Sequence, residues 1–159
     1  MKQNKLGSAP VQKYELVLQL FSLCSQLQAQ GDRFYEEITF RQIFFLTCLQ
    51  SFKEYKPTLH ELSEAMGCSR QNTKVIAQKL EAGGLINSSV DPADKRKQRI
   101  SLTDKAFELE KRYEAKDRHL MDLLFEGVDP AEMKAFQDVI GKMSRNLSVV
   151  SEWCQKKEK

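Results

Sequence analysis

The stretch Thr58–Leu80, "TLHELSEAMGCSRQNTKVIAQKL", decides the fold of this chain. It predicts a short helix, a turn at Gly67 and a second helix from Ser69, which is the spacing of a helix-turn-helix. Apolar residues at helical spacing are expected to face a shared core, and they are Leu59, Leu62, Met66, Cys68, Val75, Ile76 and Leu80. The polar residues that remain outward on the second helix are Ser69, Arg70, Gln71, Asn72, Lys74 and Gln78.

This outward polar face has the composition of a surface that binds duplex DNA. An arginine can fork onto guanine, asparagine and glutamine can pair with the edge of adenine, and a lysine supplies charge to phosphates. The N-terminal N–H groups of the helix that Ser69 caps can also hold a phosphate. An ordinary solvated helix face has a similar composition, so the face alone leaves both interpretations open.

A basic hairpin follows directly. The stretch Ser88–Thr103, "SSVDPADKRKQRISLT", has turn residues at 91–94 and apolar residues two apart at Ile100 and Leu102, which predicts strands near 85–89 and 98–102. Asp91 and Asp94 are expected mainly to shape the turn. The basic residues of the tip are Lys95, Arg96, Lys97 and Arg99. A helix-turn-helix followed by such a hairpin predicts a winged helix, with Arg96 in a minor groove and the other three on phosphates.

The charge of the chain is concentrated in this region. The whole chain carries a formal net charge of only +3. Residues 69–103 contain seven basic and three acidic residues, a net charge of +4, so the positive field is local to the predicted winged helix.

Further helices are predicted at about 10–30, 39–53, 103–125 and 129–155, with Gly31 ending the first. Thr39 and Thr58 are expected N-caps, because Gln42 and Glu61 follow them at the spacing of a capping box. The first and last of them carry more apolar surface than a small domain covers. We expect a two-fold dimer through these terminal helices, with an interface that includes Val17, Phe21, Phe136, Ile140, Met143, Leu147 and Val150. The alternative is that the helices pack on each other within one subunit.

Several landmarks together resemble the multiple-antibiotic-resistance regulator (MarR) family of bacterial transcription factors. They lie in "LHELSEAMGCSRQNTKVIAQKLEAGGLI" and "DPADKRKQRISLTDKA", and they are Gly67, Ser69, Gly84-Leu85, Asp91-Pro92, Asp94, Arg96 and Ser101-Leu102-Thr103. The resemblance implies a dimeric regulator, usually a repressor, on a pseudo-palindromic operator in double-stranded DNA. It also implies that Arg96 is the wing-tip arginine and that the helix from Ser69 is the recognition helix. The uncharged residues 86–89 depart from the family, which often has charged residues there.

The predicted fold class is therefore mainly α with a small β-hairpin (α+β). Residues 1–159 are expected to form a single unit, in which 36–103 are the winged helix-turn-helix and 10–30 and 104–155 are dimerisation helices. No apolar segment approaches the roughly 20 residues of a membrane span, and the polar N-terminus lacks an apolar signal region. We expect a cytoplasmic protein without a membrane partner.

The resemblance also implies release from DNA by a small aromatic ligand or by cysteine oxidation. The aromatic residues expected at a ligand pocket are Phe34, Tyr35, Phe40, Phe44 and Phe45, although aromatic residues at helical spacing are more often core. Cys24 is the cysteine expected to sense oxidation, although buried cysteines are usually inert.

Other classes of function find little support in the sequence. The four cysteines and two histidines have no zinc-site spacing, and no phosphate-binding loop, dinucleotide motif or H-E-x-x-H motif is present, so we expect no cofactor, no metal and no enzyme activity. Gly67-Cys68-Ser69-Arg70-Gln71 lacks the second glycine of a nucleophile elbow. The main alternative is a winged-helix module that binds an acidic protein partner without operator specificity.

Overall fold

The computed structural model describes the backbone of residues 8–157 and the side chains of residues 12–150, 153 and 154. The predicted unit of residues 1–159 therefore includes positions 1–7 and 158–159, which lie outside the described residues. The elements are α1 (Ser8–Phe34), α2 (Phe40–Ser51), α3 (Leu59–Ala65), α4 (Arg70–Ala82), β1 (Ile86–Val90), β2 (Gln98–Leu102), α5 (Asp104–Leu124) and α6 (Pro130–Lys157). The predicted fold class, mainly α with one small hairpin, is confirmed.

Local capping signals place the starts of the helices. Thr39 and Thr58 each accept a hydrogen bond from the backbone three residues on, and Gln42 and Glu61 reach back to close a capping box. Ser69 caps α4 by accepting from the backbone N–H of Asn72. These contacts satisfy orphan N–H groups at the helix starts, as the sequence predicted.

The chain divides into two compact units, one ending at Lys111 and the other beginning at Arg112. The first contains α1 to α4, the hairpin and the start of α5, and the second contains the rest of α5 and all of α6. In the first unit α2, α3, α4 and the hairpin close over a core whose fully buried side chains include Phe45, Leu62, Leu80 and Ile86. Among the described residues, no helix is both long and apolar enough to cross a membrane.

Gly31 does not end the first helix, contrary to the prediction, because α1 continues to Phe34. Gly31 is buried, and a Cβ at this position would overlap the side chain of Phe40. The backbone N–H of Phe40 also donates to Asp32 Oδ1 at 2.7 Å. The glycine therefore permits close approach of α1 to the start of α2.

The core face of α4 also differs from the prediction at one position. Val75 was expected in the core but is 42% exposed, whereas Thr73 is completely buried. The Thr73 hydroxyl donates to the carbonyl oxygen of Ser69 at 3.0 Å, so its burial leaves no polar group unsatisfied.

The hairpin is antiparallel and is held against the segment that precedes α3. Its register pairs Ile86 with Leu102 and Val90 with Gln98, so β1 begins one residue later than predicted. The backbone N–H of Ile100 donates to the carbonyl oxygen of Pro57 at 2.9 Å. Because the hairpin is fixed at its base, its tip is presented at a defined place beside α3 and α4.

Candidate nucleic-acid interface

The start of α4 presents a continuous polar face to solvent. Ser69, Arg70, Gln71, Asn72, Lys74 and Gln78 are all exposed, as the sequence predicted for the outward face. Opposite them, Ile76 and Leu80 anchor the helix in the core. One face of α4 is therefore packed on the core and the other is exposed to solvent, as a recognition helix requires.

Two aspartates shape the tip of the hairpin. Asp91 Oδ1 accepts from the backbone N–H of Ala93 at 2.8 Å, and Asp94 Oδ1 accepts from the backbone N–H of Arg96 at 3.1 Å. Lys97 Nζ lies 3.6 Å from Asp94 Oδ2. The expected structural role of the two aspartates is confirmed, and Lys95, Arg96 and Lys97 are left exposed around the tip.

Arg99 lies apart from the other basic residues of the tip because its guanidinium points into a hydrogen-bond network. Its Nε donates to Asp91 Oδ2 at 2.7 Å, and its Nη1 donates to the Tyr55 hydroxyl at 2.6 Å and to the Lys56 carbonyl oxygen at 3.1 Å. Glu61 Oε2 lies 3.4 Å from Nη1. This network, formed by Tyr55, Glu61, Asp91 and Arg99, joins the hairpin to the start of α3.

The ionisation of the network follows from its hydrogen bonds. The pKa of Glu61 is lowered from 4.5 to about 2, first by the backbone N–H of Thr58 and then by the Tyr55 hydroxyl. The pKa of Asp91 is lowered, first by the backbone N–H of Ala93 and then by Arg99. The pKa of Arg99 is raised, first by its bond to Tyr55 and then by Asp91. All three groups are therefore held in their charged forms.

A cleft of about 630 Å³ lies between the start of α3 and the hairpin. Arg70 of α4 lines it together with Lys95, Arg96 and Lys97 of the hairpin. The structure thus brings together five of the ten predicted DNA-binding residues, because Arg99 also lines the cleft. The other five are exposed on or at the start of α4 and do not line it: Ser69, Gln71, Asn72, Lys74 and Gln78. The lining also includes His60, which is not evident from the sequence because its place beside Arg70 depends on the packing of α3 against α4.

The aromatic residues predicted for a ligand pocket do not share one surface. Tyr35 and Phe45 are buried in the core, whereas Phe44 is 45% exposed. The Phe34 and Tyr35 rings meet edge to face with centroids 5.3 Å apart, and the Tyr35 and Phe40 rings are stacked with centroids 6.2 Å apart. These contacts account for Phe34, Tyr35 and Phe40 as a packed cluster at the junction of α1 and α2.

The cysteines differ in environment. Cys24 is exposed on α1. Burial raises the pKa of the Cys48 thiol, and the nearby Cys68 raises it further. Among the described residues, no group of three or more histidine, cysteine or acidic side chains is placed to hold a metal ion.

The seven residues predicted for a dimer interface are all at least 39% exposed. They are Val17 and Phe21 on α1, in the first unit, and Phe136, Ile140, Met143, Leu147 and Val150 on α6, in the second. Leu147 and Phe21 are exposed to 65% and 71%. Apolar side chains exposed in such number on two helices are typical of a surface that a partner covers.

Comparisons with known proteins agree with this architecture. The MarR family model matches residues 38–97. A MarR protein from Peptoclostridium difficile DA00132 is 22% identical with a TM-score of 0.75, covering 92% of each chain. The S. aureus MepR–DNA complex is 20% identical with a TM-score of 0.72, covering 84% of this chain and 97% of that one. The Streptomyces coelicolor regulator PcaV, in complex with its natural ligand, is 21% identical with a TM-score of 0.70, covering 91% and 98%. No curated protein matches the sequence.

Proposed function

Because its winged-helix segment, residues 38–97, belongs to the MarR family, we propose that this chain is a sequence-specific transcriptional regulator that binds double-stranded DNA. The observation that carries the proposal is the cleft that Arg70 of α4 lines together with the exposed basic residues of the hairpin tip. A duplex needs this joint placement, because base edges are read in one groove while charges meet the adjacent backbone. The proposed role is non-enzymatic and requires no cofactor, and a protein that acts on chromosomal DNA would work in the cytoplasm.

In the proposed complex α4 lies in the major groove. Arg70 pairs with guanine, Gln71, Asn72 and Gln78 contact base edges, and Lys74 contacts a phosphate. Ser69 places the N-terminus of α4, with its partial positive charge, towards a backbone phosphate.

The hairpin is the wing of this complex. Arg96 enters the minor groove beside the recognition site, where a guanidinium is favoured by the negative potential of a narrow groove. Lys95 and Lys97 contact phosphates and contribute affinity rather than sequence preference. Arg99 is engaged in its network, so we assign it the positioning of the wing in place of the direct phosphate contact expected from sequence.

The regulator acts as a two-fold homodimer on a pseudo-palindromic operator. The first unit leaves apolar residues of α1 exposed and the second leaves apolar residues of α6 exposed, so each presents a face that a second copy can cover. Two recognition helices related by a two-fold axis read half-sites about 10 base pairs apart, or a multiple of that spacing. We propose that the dimer represses transcription by occupying such a site.

A small ligand or a stress signal releases the proposed repressor. PcaV binds its natural ligand, and a Bordetella bronchiseptica protein, BpsR, has its DNA binding regulated by 6-hydroxynicotinic acid. For this chain an aromatic ligand stays a prediction from the resemblance, because Phe34, Tyr35 and Phe40 already pack on one another at the junction of α1 and α2. Exposure of Cys24 supports oxidation as a second route, and Cys24→Ser should then remain on DNA after peroxide treatment that releases the wild type.

The deciding experiment is fluorescence anisotropy with duplex DNA from upstream of the chain's own gene, with random duplex as competitor, at two salt concentrations. We expect preference for the upstream fragment by about 10³-fold or more. Arg96→Ala should weaken specific binding by about 1 to 3 kcal/mol. The matched control is Arg33→Ala, which removes an exposed arginine of α1 that lies outside the cleft.

Equal binding of upstream and random duplex, with Arg96→Ala indistinguishable from wild type, would contradict the proposal. It would favour the alternative of an acidic protein partner, which can give salt sensitivity but no preferred operator.

A further inference from the structure

We propose that His60 is a positioning residue that sets the orientation of Arg70 and thereby the base preference of α4. The inference rests on the proposed function and names the residue that makes the recognition helix selective. His60 lies on α3, outside the recognition helix, and it lines the same cleft as Arg70. It would therefore act on base reading through Arg70 rather than by touching a base itself.

Three side chains form a chain of contacts at the mouth of the cleft. Arg70 Nε donates a hydrogen bond to His60 Nδ1 at 3.2 Å, and His60 Nε2 lies 3.7 Å from Glu64 Oε1. Since Nδ1 accepts a hydrogen bond, it carries no proton, and the ring proton resides on Nε2, facing the carboxylate. Glu64 thus favours the tautomer that can hold Arg70.

The bond to His60 decides which edge of the guanidinium faces DNA. A guanidinium has five N–H donors in a fixed plane, one on Nε and four on the two terminal nitrogens. With Nε bonded to His60, the side-on edge formed by Nε and one terminal nitrogen is occupied, and the end-on edge formed by the two terminal nitrogens remains available. That end-on fork matches the paired O6 and N7 acceptors of guanine. The geometry therefore selects an end-on contact of Arg70 with one guanine in each half-site.

Without this bond Arg70 would sample many rotamers at the exposed start of α4. Immobilising a long side chain at an interface lowers the affinity about 3- to 10-fold. Because His60 already immobilises Arg70 in the free protein, DNA binding does not incur this loss. Because His60 lies outside the set of phosphate contacts, its loss should leave the salt dependence of binding unchanged.

The test begins with a duplex that the wild-type protein selects from a random pool. Anisotropy is then measured on this duplex and on versions with each guanine pair replaced in turn. Arg70→Ala identifies the base pair that Arg70 discriminates. His60→Ala should lower discrimination at that same pair about 3- to 10-fold and leave the other pairs unchanged. In the Arg70→Ala background it should have no further effect, which a double-mutant cycle measures.

His60→Asn is the matched variant, because asparagine carries a carbonyl oxygen at the position of Nδ1 and has a similar helix propensity. It should restore discrimination to within about twofold of the wild type, a difference smaller than the cost of freeing the side chain. If His60 acted only in folding, His60→Asn would not restore the base preference. The imidazole is 51% exposed, so we expect all variants to fold, and melting temperatures provide the check.

Three results would overturn the inference. In one, His60→Ala weakens every duplex equally and reduces the salt slope, which would make His60 a phosphate contact. In another, His60→Ala discriminates as the wild type does. In the third, Arg70→Ala changes discrimination at no base pair although the wild type still selects a sequence, which leaves the proposed function intact.

A measurement on the free protein separates this inference from the proposed function. The Nε–H of Arg70 should exchange with solvent faster in His60→Ala than in the wild type, and at about the wild-type rate in His60→Asn, because exchange reports the hydrogen bond itself. If the wild type selects no sequence from the pool, the proposed function fails, and an unchanged exchange rate in His60→Ala would refute the positioning as well.

Discussion

Replacing Glu61 by glutamine is the sharpest probe of the network that holds the hairpin against α3. Glu61 Oε2 accepts from the backbone N–H and hydroxyl of Thr58 at 2.7 and 2.8 Å, and Oε1 accepts from the Tyr55 hydroxyl at 2.7 Å. A glutamine has one carbonyl oxygen, so either Thr58 or Tyr55 must lose its acceptor. The substitution also removes the negative charge 3.4 Å from Arg99.

The size of the effect follows from the pKa of Glu61, which is lowered from 4.5 to about 2 in the folded chain. A shift of this size corresponds to roughly 3 kcal/mol at about 1.4 kcal/mol per pKa unit. The side chain is 36% exposed, so screening by solvent reduces the expected destabilisation to about 1 to 2 kcal/mol. Since the folded-state pKa is lowered, this stability is fully present above pH 4.5 and is lost as the pH falls towards 2.

Urea unfolding at pH 7 and pH 3 measures the difference between wild type and Glu61→Gln. Protein concentration is held fixed, because the proposed dimer would make apparent stability depend on it. We expect the full difference in the free energy of unfolding at pH 7 and about 40% of it at pH 3, because Glu61 of the unfolded wild type is largely protonated there. Glu64→Gln is the control: this residue is one turn further along the chain, is 68% exposed and contacts His60 at 3.7 Å.

Two results would refute this reasoning. A difference in the free energy of unfolding below about 0.5 kcal/mol at pH 7 would show that Glu61 contributes no more to stability than an ordinary surface residue. A difference of equal size at both pH values would show that the loss arises from packing or geometry and not from the charge.

Three further predictions address other parts of the molecule. Gly31→Ala should lower the free energy of unfolding by about 1 to 3 kcal/mol, because the added methyl group overlaps Phe40; chemical denaturation measures it. Lys95→Ala should reduce the salt slope of DNA binding by about one, whereas Lys111→Ala, on α5, should leave it unchanged in salt titrations. Phe136→Glu should shift the protein towards monomer in sedimentation, since it buries a charge in the proposed interface.

Sequence predicted the features that depend on neighbours along the chain. Thr39, Thr58 and Ser69 were recognised as caps because each contact lies within three residues. The hairpin was recognised for the same reason, since turn residues and alternating apolar positions are local. These signals were sufficient for the order of the elements and for the winged-helix class.

Contacts between distant segments were not predictable. Arg99 was expected on DNA phosphates with its neighbours, but its partner Tyr55 lies 44 residues earlier in the chain. His60 was not predicted as a site residue, because its hydrogen bond to Arg70 forms only when α3 packs on α4. Gly31 was expected to end a helix because a glycine in a helix is usually unfavourable, and only the position of Phe40 explains its presence there.

The basic residues of the hairpin differ in orientation, and the sequence alone does not show which of them face solvent. Lys95, Arg96 and Lys97 face solvent, whereas Arg99 is turned inward and bound to Asp91, which also shapes the tip. Because Asp91 bonds both the turn and Arg99, the conformation of the tip is tied to the scaffold before any duplex is bound. Ordering a flexible loop on binding would reduce affinity, so a tip ordered during folding binds more tightly for the same contacts. Under the proposed function, the contribution of Arg99 to DNA binding is therefore indirect: it holds the conformation of the hairpin tip that carries Lys95, Arg96 and Lys97.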